Sequence, residues 1–155
     1  MMISYDYERD FYAWLIQNTQ LMRNGQLHQI DIEHIAEELE AMAKSEKREL
    51  LNRLAILLMH LLKWQYQTPK RTRSWHNTIM TQRIDIAELL EDSPSLKSQL
   101  TEKLQGAYEK AKIKAEDETG IDQQQFPEQC PFTIKQVLSL TFFPGDGEHE
   151  VNRNG

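Results

Sequence analysis

Ile30–Gln65, IDIEHIAEELEAMAKSEKRELLNRLAILLMHLLKWQ, is the stretch whose reading decides the fold. Ile32, Ile35, Ala36, Leu39, Ala43, Leu50, Leu54, Leu57, Leu61 and Trp64 recur at helical spacing, and Glu33, Glu37, Glu40 and Lys44 fall on the other face. This predicts one very long amphipathic helix from Asp31 to Gln65. Asp31 is placed to accept from the free N–H groups of the first turn, and Ile30 to staple onto Ile35. No Pro or Gly interrupts the run, so at about 1.5 Å per residue it can reach roughly 50 Å. Ala43–Ser45 is the place where a kink is expected if there is one.

The apolar stripe is not pure. Glu46, Arg53 and His60 follow at seven-residue steps along its edge, and Glu49 sits one turn before Arg53. His60 lies within LAILLMHLL and is expected to be shielded and hydrogen-bonded, because an unpaired buried polar group costs about 1–3 kcal/mol.

Working outward, Asp6 is expected to cap a first helix of about five turns whose buried face is Tyr7, Phe11, Trp14, Leu15, Leu21 and Met22, with Gly25 as a left-handed stop. Thr68-Pro69 opens a third helix running to about Glu91 and burying Trp75, Ile79, Ile86, Leu89 and Leu90. Ser93-Pro94 opens a fourth, with Leu96, Leu100, Leu104, Ala107, Tyr108, Ala111 and Ala115 inward and Gly120 at its end. Phe126-Pro127 and Cys130-Pro131 force an extended segment. Thr133 caps a short helix to Leu138, and Phe142-Phe143-Pro144 pins the chain end back. The expected architecture is all-α, an up-and-down bundle of about four helices with a C-terminal flap. It forms a single domain over residues 4–144, followed by a disordered tail, 145–155.

Composition bounds the function. With 18 bases against 24 acids the chain is acidic, which disfavours a generally basic nucleic-acid binder. One cysteine, Cys130, leaves no internal disulfide and no thiolate metal cage; Cys130-Pro131 reads as a turn. The N-terminus MMISYDYERD lacks the basic and apolar regions of a signal peptide, and LAILLMHLL is far short of the ~20 apolar residues a membrane span needs. A cytoplasmic protein with no membrane contact is expected.

Several segments together resemble a family. They are YDYERDFYAW, AEELE at Ala36–Glu40, SEKRELLNRL, HLLKWQYQ, SWHNTIMTQR, DSPSL and FPEQCPFT. They are similar to a largely cyanobacterial group of small helical proteins catalogued as domain of unknown function number twenty-nine. The likeness extends from about Ser4 to Pro144, although Glu8-Arg9-Asp10 replaces one intervening residue of the first pattern. The resemblance implies an all-helical bundle and no established activity.

Three sets of residues are candidates for function. Glu46, Glu49, Arg53, His60, Gln82 and Arg83 are placed to form an inward polar network between helices two and three. His60, His76 and Glu46 offer a metal set for a bundle enzyme, with Arg53 orienting a carboxylate, although the repeated Glu-x-x-His signature of such sites is missing and no cofactor is expected. No Ser, Cys or Thr sits beside a convincing base. Leu50–Ile84 contains no acidic residue but does contain Arg53, Lys63, Lys70, Arg71, Arg73 and Arg83. With Trp64, Tyr66 and Trp75 nearby, the Lys63–Arg83 corner is expected to meet a protein or another anionic macromolecule. A non-enzymatic binding module is therefore the leading expectation. The opposed acidic (Asp31, Glu33, Glu37, Glu38, Glu40) and basic ends also suit a homo-oligomer.

Overall fold

A computed structural model describes residues 5–145. The expected tail, apart from Gly145, lies outside the described residues. Those residues form five α-helices: α1 (Phe11–Arg23), α2 (Ile32–Tyr66), α3 (Arg73–Asp92), α4 (Lys97–Thr119) and α5 (Ile134–Leu138). Short 3-10 turns connect them, no strand occurs among them, and the fold is all-α as expected. Contacts divide the chain into two compact units, Met1–Ser45 and Glu46–Gly155.

In the first unit, α1 begins at Phe11, later than expected, because Asp10 is its cap and accepts from the Ala13 N–H at 3.0 Å. Asp6 instead closes a preceding turn, its carbonyl accepting from Asp10. At 13 residues, α1 has fewer than the expected turns. Gly25, at φ 76°, completes the stop: Gln26 N–H reaches Leu21 and Gly25 N–H reaches Met22, the paired bonds of a left-handed helix end. The buried face of α1 is Trp14, Asn18 and Leu21. Phe11, Leu15 and Met22, expected inward, are exposed. Residues 14, 18 and 21 lie above one another at helical pitch, which turns Leu15 and Met22 about 100° away from that row.

Residues 43–45 are helical within α2. Its two halves differ in burial. From Leu50 to Trp64 most positions are buried, including Ala55, Leu58, Met59 and Leu62 off the expected stripe. Before Ser45 the same apolar spacing stays in solvent: Ile32 is 64% exposed, Leu39 62% and Met42 63%.

In the second unit, Leu50–Trp64 is the centre of one core with Ile79, Ile86, Leu100, Tyr108, Ala111, Ala115, Phe126, Phe132 and Val137. Pro69 opens a 3-10 turn and not α3, which starts at Arg73 because the Thr72 hydroxyl caps it by accepting from the Trp75 N–H at 3.1 Å. Pro94 does the same before α4. Gly120, at φ 76°, ends α4 as expected. Thr133 and Gln136 form a reciprocal capping box on α5, which packs against α3 and α4.

Candidate functional site

Of the expected polar network, the structure brings together Glu49, Arg53 and Gln82 and adds Asp85. Arg53 Nη1 donates to Asp85 at 2.9 Å and to Gln82 at 3.4 Å, while its Nε and Nη2 reach Glu49 at 3.3 and 3.2 Å. Arg53 and Asp85 are each about one-third exposed. Glu46 is exposed and outside this group. Arg83 is also outside it: one step along α3 from Gln82 turns its side chain about 100° into the core. There its Nε donates to the Val137 carbonyl at 2.7 Å, and its Nη2 to those of Phe142 at 2.7 Å and Gln136 at 3.3 Å. Burial lowers its pKa to about 10.

His60 is half-buried and bonds through Nδ1 to the Ile56 carbonyl at 3.0 Å, so in its neutral form it donates one turn back along its own helix. Burial, with Lys63 nearby, holds its pKa below the usual value. His76 stacks on Phe143, with ring centroids 4.7 Å apart and planes 8° from parallel. Among the described residues, no three His, Cys, Asp or Glu side chains group so as to hold a metal ion. Cys130 donates its N–H to Gln105 at 2.8 Å and its thiol to Phe132, and burial pushes the thiol up in pKa.

The basic corner separates into inner and outer cations. Lys63 is buried, bonds to Glu118, and lies 4.5 Å from the Trp75 ring. Arg71 donates from Nε to the Trp64 carbonyl at 2.8 Å, reaches the Pro144 carbonyl, and sits 4.7 Å from the Trp64 ring. Trp64 is itself buried. Lys70 and Arg73 are exposed. Arg73 opens a shallow groove of about 560 Å³ along α3, lined by Ser74, Asn77, Thr78, Thr81 and Gln82. These lining residues recur at helical spacing on one face, and they offer hydroxyls, amides and a guanidinium but no carboxylate.

Sequence reasoning missed a cluster in the first unit. Asp31 Oδ2 meets His34 Nδ1 at 2.7 Å and accepts from Trp14 Nε1 at 2.9 Å. Asn18 accepts the Asp31 N–H at 2.8 Å. His34 stacks on Tyr7 at 4.2 Å, and the Tyr7 hydroxyl donates to Glu38. The Glu38 bond lifts Tyr7 to about 12. The bond to Asp31 raises His34 above its usual value. Burial opposes ionisation of Asp31, but the bonds from His34 and Trp14 outweigh it and lower its pKa. The spacing Asp31-x-x-His34 in a first helical turn was the available signal.

The model of a family described as Domain of unknown function DUF29 matches residues 7–143. No curated protein and no solved structure matches the chain. Among the described residues, no helix is long and apolar enough to cross a membrane.

Proposed function

We propose, from the premise that this chain belongs to the family described as domain of unknown function DUF29, that it is a binding module whose α3 groove takes an acidic protein surface. The observation that carries this reading is the carboxylate-free groove beside the exposed cations Lys70 and Arg73, within an acid-free run from Leu50 to Ile84. Such a patch draws an acidic surface by complementary potential, and the hydroxyls and amides fix its register through hydrogen bonds.

A protein suits the groove better than single-stranded nucleic acid. Base stacking needs open aromatic faces. Trp64 is buried, Trp75 is covered by Lys63, and Tyr66 is engaged edge-on by Phe126.

The test is fluorescence anisotropy with a labelled poly-glutamate peptide and, separately, a single-stranded RNA of equal charge. The expected result is salt-sensitive peptide binding that exceeds RNA binding and is abolished by Lys70→Glu with Arg73→Glu. Peptide binding that is absent, or unchanged in the double variant, removes the groove as the contact surface. Preferential RNA binding overturns the protein assignment.

A further inference from the structure

The first half of α2 carries a second surface, unrelated to the α3 groove. Ile32, Leu39 and Met42 are each more than 60% exposed, with Ala36 and Ala43 exposed beside them. At 100° per residue these five side chains fall within about 60° of Leu39, forming one seam. Asp31, His34 and Glu38 lie on one flank of that seam and are engaged with Trp14 and Tyr7. The other flank reads Glu33, Glu37 and Glu40, then Lys44, with Lys47 and Arg48 continuing the basic turn in sequence. The flank therefore changes sign from acidic to basic along its length.

Such a flank is complementary to itself when reversed. In an antiparallel pair of identical helices the same flank of each copy meets, running in opposite directions. About Leu39 the acidic turn at Glu33 then faces the basic turn at Lys44 of the other copy, and only Glu37 and Glu40, beside the axis, meet like charge. A parallel pair would align like charges. Ala36 and Ala43 leave room for close approach, and Ile32 and Met42 reach past them. The apolar heptad ends at Glu46, so the seam is short and the association concentration-dependent.

We propose that the exposed seam Ile32, Ala36, Leu39, Met42 and Ala43 on α2 is the contact surface for a second copy of this chain, packed antiparallel about Leu39. Sedimentation velocity of the full chain over a concentration series tests it. The expected result is a rise from 18.3 kDa toward twice that mass, lost in Leu39→Glu with Met42→Glu. Both side chains are already in solvent, so the helical circular dichroism of the variant stays that of wild type. Lys44→Glu with Lys47→Glu also weakens the pair, and adding Glu33→Lys with Glu40→Lys restores it. With Cys130→Ser as background, Leu39→Cys crosslinks to itself on oxidation and Ile32→Cys does not. A monomer at every concentration, a dimer that survives Leu39→Glu with Met42→Glu, or equal crosslinking at positions 32 and 39 overturns the proposal.

Discussion

Arg83 Nε donates to the Val137 carbonyl at 2.7 Å across 54 residues of chain. The same guanidinium closes the C-terminal end of α5 and holds the Phe142 carbonyl, and among the described residues none of its bonds goes to a carboxylate. A helix C-terminus favours a cation, and three oriented carbonyls replace much of the water that burial removes. Arg83→Ala leaves those carbonyls bare and opens a cavity. A loss of about 3 kcal/mol is expected in urea unfolding. Arg83→Lys recovers only part of it, since one ammonium cannot reproduce the guanidinium fork.

Lys63 tests the division between inner and outer cations. Its ammonium bonds to Glu118 and its stem is buried, so Lys63→Met, of similar volume, is expected to change stability by no more than about 1 kcal/mol. Poly-glutamate binding by this variant equals wild type. Lost binding at unchanged stability would move Lys63 to the contact surface.

The two halves of α2 separate under identical substitutions. Leu54 is fully buried, and Leu54→Ala is expected to cost about 2–5 kcal/mol. Leu39→Ala, measured at concentrations too low for self-association, stays within about 0.5 kcal/mol. Equal costs in denaturant melts would contradict the burial described for Leu39.

The Asp31–His34 pair gives a pH dependence of worked sign. The raised His34 pKa contributes stability that is complete below its ordinary value of 6.5 and is lost as pH rises through the folded value. The lowered Asp31 pKa contributes stability present above its ordinary value of 3.8 and lost as pH falls through the folded value. The pair therefore stabilises most between 3.8 and 6.5. An NMR titration of ring shifts should place His34 above its ordinary value and His60 below it, because burial disfavours charge on His60. Asp31→Asn returns His34 to the ordinary range. His34 titrating normally in wild type would dissolve the pair.

The sequence was most legible where apolar density was highest. LAILLMHLL could only be interior, and the Gly25, Gly120 and Thr133 signals each set a boundary. Ile32–Ala43 carries the same periodicity without the same burial, because spacing shows which face is apolar and not whether anything covers it. Pro69 and Pro94 marked boundaries but each yielded a 3-10 turn first. Arg83 neighbours Gln82 in sequence, yet its partners are backbone carbonyls 53 to 59 residues away, which no local pattern announces. Asn18 was hidden for a related reason. Its amide donates to the Trp14 carbonyl and its oxygen accepts from Asp31, so a polar residue occupies a buried row.

The assignment of the α3 groove as the contact face is tested most directly by amide shift mapping during a titration with poly-glutamate peptide. Perturbations are expected at Lys70, Arg73, Ser74, Asn77, Thr78 and Thr81, with Trp64 and Lys63 little moved. Shifts that centre elsewhere, or none at saturating peptide, contradict it.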